Sequence, residues 1–203
     1  MKAIGHPVNT QEIVESKCLE IYGEAQAFFG SIHRHPDYGF KILNAPPIYK
    51  PPFLFIGYQP GGGAADFKYE AGLGTHLHWP LKSEYATATW ALAQHMRRMF
   101  EPAIDLKQCV GVNAIFLRSP NVADYKRNVD RNTRAQVARF CKTRVLQIID
   151  VIDPGKIVVI GFSTLKLFGP TKRGVTNVNG RILTRAGQIG DRKMLGRWYQ
   201  APA

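Results

Sequence analysis

Apolar positions along the chain fall into two kinds of run, one with helical spacing and one continuous. Residues 10–29 have helical spacing, with Ile13, Cys18, Ile21 and Ala25 along one face. Thr10 is placed to cap this helix, and Glu12 and Glu15 suit its positive end. Pro51 and Pro52 forbid a helix just before Phe53–Ile56, a short apolar run that stops at GYQPGGG. That sequence predicts a buried strand entering a glycine loop. Helical spacing resumes over 83–100, where Tyr85, Trp90, Leu92, Met96 and Met99 are the expected core contacts. CVGVNAIF at 109–116 predicts a second strand, followed by the polar, basic loop LRSPNVADYKRN. Asp130 is the expected cap of a long helix to about 152, with Val137, Cys141, Val145, Ile148 and Ile152 inward. AspProGly at 153–155 ends it, and 156–160 predicts a third strand that turns at Gly161 into a short helix over 163–168. Two further strands are expected at 181–186 and 194–200, joined by a GQIGD turn.

Apolar strands alternating with long helices imply an α/β fold. The expected architecture is a three-layer sandwich, with a central, mostly parallel four-stranded sheet flanked by helices, in one domain over residues 1–203. In such a sheet ligands bind beyond the carboxyl ends of the strands. The GYQPGGG loop and the loop after NAIF should therefore meet in one cleft. Hydrophobic residues make up 45% of the 203, enough for a core without covalent staples. The cysteines (Cys18, Cys109 and Cys141) are odd in number and far apart, which argues against a disulfide framework and for a reduced, cytoplasmic setting. There is no signal-like apolar segment at the start and no run long enough to span a bilayer, so no membrane association is expected. A monomer is the expected state.

Charge adds a partner class. The net charge is +12, and its distribution is one-sided. Residues 1–117 hold ten basic and ten acidic side chains, whereas 118–203 hold 17 basic and five acidic. A localised positive field suits a polyanion, most naturally nucleic acid.

Three stretches then carry a resemblance. FLFIGYQPGG is similar to the first motif of the uracil-DNA glycosylase superfamily, in which a buried strand enters a G-x-x-P turn. VNAIFLRSPN resembles the second strand of its iron–sulfur and related branches. FCKTRVLQIIDVIDPGKIVVIGFSTLKLFG resembles their following stretch, a Cys-bearing helix, a proline, and an I-V-x-x-G strand. The resemblance covers about residues 53–170. It implies DNA as partner and excision of uracil or another deaminated base by hydrolysis of the N-glycosidic bond. The alternative it leaves open is a catalytically inactive module of the same fold that binds nucleic acid or a nucleotide.

Residue by residue, Gln59 stands where the family carries a water-positioning Asp or Asn, and Asp66 is the nearest carboxylate that could replace the missing charge. Tyr58 and Phe67 are the expected stacking aromatics, with Tyr69 a rival. Asn113 matches the position that reads the base edge. Gly61, Gly62 and Gly63, with Arg118, Ser119, Asn121, Lys126 and Arg127, are the expected phosphate and DNA contacts. Two departures stand out. No His follows His95, although the family places one in a late loop, and Cys141 alone matches a cluster ligand, so no iron–sulfur cluster or other cofactor is expected. His76 and His78 lack a clear acidic partner, so no metal site is expected either. No Ser-based triad supports a different hydrolase.

Overall fold

The computed structural model describes residues 9–32, 38–72, 75–174, 184–189 and 192–197. Helix α1 spans Thr10–Gly30. Its cap is Asn9, one residue before the expected Thr10: the Asn9 side chain accepts from the Gln11 N–H. Ile13, expected inward, is 48% exposed, and Val14 takes its place on the buried face with Cys18, Ile21 and Ala25.

The strands are β1 (Leu54–Gly57), β2 (Val110–Asn113) and β3 (Ile157–Ile160), followed by β4 (Lys172–Arg173), β5 (Thr184–Ile189) and β6 (Arg192–Arg197). They form one sheet in the order β2-β1-β3-β6-β5-β4. The expected mostly parallel α/β sheet is present, but it has six strands rather than four. β2, β1, β3 and β6 run parallel; β5 and β4 extend the sheet antiparallel. The C-terminal strands were shifted in expectation: β5 already includes Gly187–Ile189 of the predicted turn, and residues 181–183, 190–191 and 198–200 lie outside the described part.

Alternation along the strands assigns each side chain to one of two cores. Leu54, Ile56, Ile157 and Val159 join the core under α1 and under α6 (Arg131–Ile152). Phe55 and Val158 join the other, under α3 (Glu84–Thr87) and α4 (Ala91–Phe100). Helices on both faces make the three layers. The single helix expected over 83–100 is in fact these two. The chain is extended at Ala88 and Trp90, and Arg97 fills the gap by donating to the carbonyls of Tyr85 (3.2 Å) and Ala88 (2.7 Å). The remaining helices are α2 (Ala64–Gly72), α5 (Val122–Asn128) and α7 (Phe162–Lys166). No helix among the described residues is long and apolar enough to cross a membrane.

The α6 cap is as the sequence indicates. The Asp130 carboxylate accepts from the Asn132 and Thr133 N–H groups at 2.9 and 3.0 Å. Bonds from Thr133, side chain first and then backbone, hold its carboxyl below the usual range. A depressed folded pKa means that its contribution to stability is present above the unfolded pKa and is lost as pH falls through the folded one. In Asp130→Asn the amide oxygen still caps. That variant should lose less stability than wild type on acidification below about pH 4, read from melting temperatures across an acid pH series. Cys18, Cys109 and Cys141 are buried and free. Burial pushes the Cys18 and Cys141 thiols up to about 12 and Cys109 to about 11, so these are packing groups rather than nucleophiles.

Candidate active site

The parallel register Gly57↔Asn113 puts the two carboxyl-end loops side by side. Backbone bonds then fasten them, from Ala114 N–H to Gly57 O (2.8 Å), Ile115 N–H to Tyr58 O (2.8 Å) and Ser119 N–H to Pro60 O (3.3 Å). A third wall is the segment around Lys41–Asn44, tied to β2 by Asn113 N–H to Ile42 O (2.9 Å) and Asn44 N–H to Gly111 O (2.8 Å). α2 supplies Asp66 and Glu70, the α3–α4 region supplies Glu84, Tyr85, Trp90 and Leu92, and β3 ends at Ile160. Together they enclose a cavity of about 690 Å³. That volume falls in the range of small-molecule sites and suits a nucleoside-sized ligand.

Most of the expected site residues line this cavity: Tyr58, Gln59, Gly61, Gly62, Asp66, Asn113, Arg118, Ser119 and Asn121. Gln59 Nε2 donates to the Ser119 carbonyl at 3.3 Å, while its buried Oε1 has no partner among the described residues. A buried acceptor left unpaired is costly unless a ligand or water serves it. Asp66 Oδ2 accepts from the Gly63 N–H at 2.7 Å, which fixes the carboxylate at the start of α2. Gly62 permits this turn. Its φ is +89, and a Cβ there would lie 2.8 Å from Asp66 Oδ2 and 3.1 Å from Arg118 Nη1. Burial raises the Tyr58 phenol pKa, with the Arg134 charge acting in the opposite sense.

Several expected roles do not match the geometry. Phe67 stands outside the cavity lining. Its ring fills the space beside Gly39 and meets the edge of His76 with centroids 5.8 Å apart, so it packs the α2 base instead of stacking a ligand. Tyr69 is 71% exposed, also away from the lining. The Gly63 N–H is already committed to Asp66 and is not free to hold phosphate. Lys126 and Arg127 are exposed and off the lining, and Arg127 pairs with Asp124 at 2.9 Å. Asn121 caps α5 by accepting from Asp124 N–H, and Ser119 Oγ donates to Asn121 O. The Asn113 amide donates at 3.3–3.5 Å to Lys41 O, Ile42 O and Asn44 Oδ1, so its donor side mainly anchors the third wall.

The residues missed by sequence reasoning are Lys41, Asn44, Glu70 and Glu84, together with Tyr85 and Trp90, which had been read as core. They build a charge chain. Arg118 Nη2 donates to Glu70 Oε2 at 2.6 Å and Nη1 to Gly61 O at 3.1 Å. Lys41 Nζ contacts Glu84 at 2.6 Å and Glu70 at 3.7 Å. Both cations of the lining are thus engaged by carboxylates. With Asp66, the cavity carries three carboxylates against two cations, so its interior favours a neutral or positively charging group over a phosphate. One signal was available: Asp66 and Glu70 are four apart on a helix and must share a face. Trp90, 40% exposed, stands at the rim with its ring edge-on to Tyr85 at 5.7 Å. Among the described residues, no group of three or more His, Cys, Asp or Glu side chains could hold a metal ion.

No known family model matches this chain, and no curated protein matches it.

Proposed function

We propose that this chain is a DNA glycosylase-like protein that takes a nucleobase into the cavity at the ends of β1 and β2 and hydrolyses its N-glycosidic bond, uracil or another deaminated base being the substrate. The observation that carries the reading is the excess of carboxylate, from Asp66 and Glu70 on α2 and Glu84 on α3, inside a nucleoside-sized cavity at the carboxyl ends of β1 and β2. Cleavage of an N-glycosidic bond builds positive charge on the sugar, and fixed negative charge beside it lowers the barrier. Asp66 is the carboxylate least tied up by cations, held in place by the Gly63 N–H. The unpartnered Gln59 Oε1 is an acceptor suited to orienting the attacking water. Tyr58, Tyr85 and Trp90 offer planar walls for a base. Phosphates stay outside, where the cations are not already paired. We infer a cytoplasmic monomer; three buried cysteines without a disulfide between them suit a reducing compartment.

The test is release of free base from a uracil-containing oligonucleotide by the full chain. Asp66→Asn, which keeps shape and removes charge, should lower the rate at saturating substrate by about 100-fold. A second reading, base binding without hydrolysis, is favoured by the amide at Gln59, which cannot act as a base near neutral pH. Tight binding with no release from uracil-, hypoxanthine- or xanthine-containing strands would select it and end the glycosylase reading.

A further inference from the structure

The helices α3 and α4 cover only part of their face of the sheet. Register follows that face outward from the cavity. Val158 pairs with Leu195, Leu195 with Ala186, and Ala186 with Lys172, while Gln188 pairs with Lys193. Paired residues of adjacent strands point to the same side. Val158 is buried, but Leu195 is 46% exposed, and Lys172, Ala186, Gln188 and Lys193 are exposed too. Beyond β3, then, this side of β6, β5 and β4 is covered by no helix among the described residues. It joins the cavity directly: Ile160 lines the cavity and pairs with Arg197 at the same end of β6.

Its charge is of one sign. The described side chains on it include Lys172 and Lys193 and no Asp or Glu. On the opposite side Arg192 is paired with Asp153 at 2.6 Å and Arg185 lies over the Phe162 ring, whereas Lys172 and Lys193 have no carboxylate partner among the described residues. Unpaired ammonium groups flanking small and polar side chains on an open sheet suit a flexible polyanion whose backbone can follow the surface. The cavity interior, with its cations already neutralised, cannot perform that task.

We propose that the bare face of β6-β5-β4 is a track for single-stranded nucleic acid, which crosses Lys172 and Lys193 and delivers a base past Trp90 into the cavity. The proposal rests on the nucleic-acid side of the functional reading, though not on hydrolysis. It is tested by fluorescence anisotropy of a labelled single-stranded oligonucleotide with the full chain and with Lys172→Glu/Lys193→Glu, over a salt series. The variant should bind at least about tenfold more weakly at about 50 mM salt, and its log–log salt slope should fall by about 1.4, at about 0.7 per phosphate contact. Lys172→Gln/Lys193→Gln, a gentler change, should show the same slope. Unaltered melting temperatures separate these effects from unfolding. Unchanged affinity and slope in both folded variants would overturn the track. Equal displacement of the oligonucleotide by polyglutamate at matched charge would also overturn it, in favour of an acidic polypeptide partner. Base release by the wild-type chain is read separately. Loss of binding in the variants supports the track whether or not any base is released, so the two readings fail independently.

Discussion

Glu70→Ala should cost about 3 kcal/mol of stability, a fall in melting temperature of about 6–12 °C for a chain of this size. Arg118 is the reason. Its side chain is only 6% exposed, and Glu70 is the carboxylate that neutralises it, at 2.6 Å. Without Glu70 the guanidinium keeps the Gly61 carbonyl at 3.1 Å, and its Nε has no hydrogen-bond partner among the described residues even in the intact protein. Leaving a buried charge uncompensated costs about 3–5 kcal/mol. The lower end applies here because Glu70, 24% exposed, sits where water can enter in its place. Lys41 loses its second carboxylate as well, although Glu84 at 2.6 Å still holds it. The companion is Glu70→Leu with Arg118→Met, which removes both charges together and should recover most of the loss. Thermal and denaturant unfolding of the three proteins measures both effects. A Glu70→Ala protein that melts within about 2 °C of wild type would show that the chain of charges does not hold the cavity wall.

Gly111→Val should destabilise by about 3 kcal/mol, through overpacking rather than charge. Gly111 lies beside Phe55 in the register of β1 and β2, on the face that α3 covers. A Cβ added there would fall 2.6 Å from Tyr85 Cε2 and 3.2 Å from Asn44 Cβ. Tyr85 cannot yield easily. It is 1% exposed, edge-on to Phe55 at 5.9 Å and to Trp90 at 5.7 Å, and its hydroxyl lies 3.4 Å from the Asn44 amide. Because Tyr85 and Asn44 both line the cavity, the displaced atoms would also deform the site. Gly111→Ala should show a smaller loss of the same kind. Combining Gly111→Ala with Tyr85→Leu, which removes the clashing ring edge, should leave less than the sum of the two single losses. Melting temperatures give the energies, and near-ultraviolet circular dichroism follows the Tyr85–Trp90 pair. Strict additivity would rule out the proposed clash.

The elements were legible because their signals are local. Pro51–Pro52, the GYQPGGG stop, Asp130 and AspProGly each mark a boundary within a few residues, and apolar runs between them specify strand or helix. The errors follow from the same locality. A break at Ala88–Trp90 depends on Arg97 reaching back to two carbonyls, and the shift from Thr10 to Asn9 depends on which neighbouring polar side chain bends to Gln11. Five of the six strands were expected as segments, although the expected sheet held only four; β4 was missed because it has only two residues and a strand that short has no periodicity to read.

The cavity itself was half legible. Its floor, from Tyr58 to Gly62 and from Asn113 to Asn121, follows from placing two carboxyl-end loops beside each other, and the sequence alone determined that those loops exist. It also determined the long α6 helix, its cap, and the concentration of positive charge after residue 117. Tertiary structure decided what the cavity is made of chemically. Lys41 and Glu84 are 43 residues apart, and Glu70 and Arg118 are 48 apart. No periodicity links such pairs; they meet because the sheet order β2-β1-β3 and the packing of α2 and α3 bring their elements to one end of the sheet. That meeting pairs Arg118, one of the cations assigned to phosphate from the sequence, with Glu70, while register rather than sequence spacing puts Lys172 and Lys193 on one open face of the far strands.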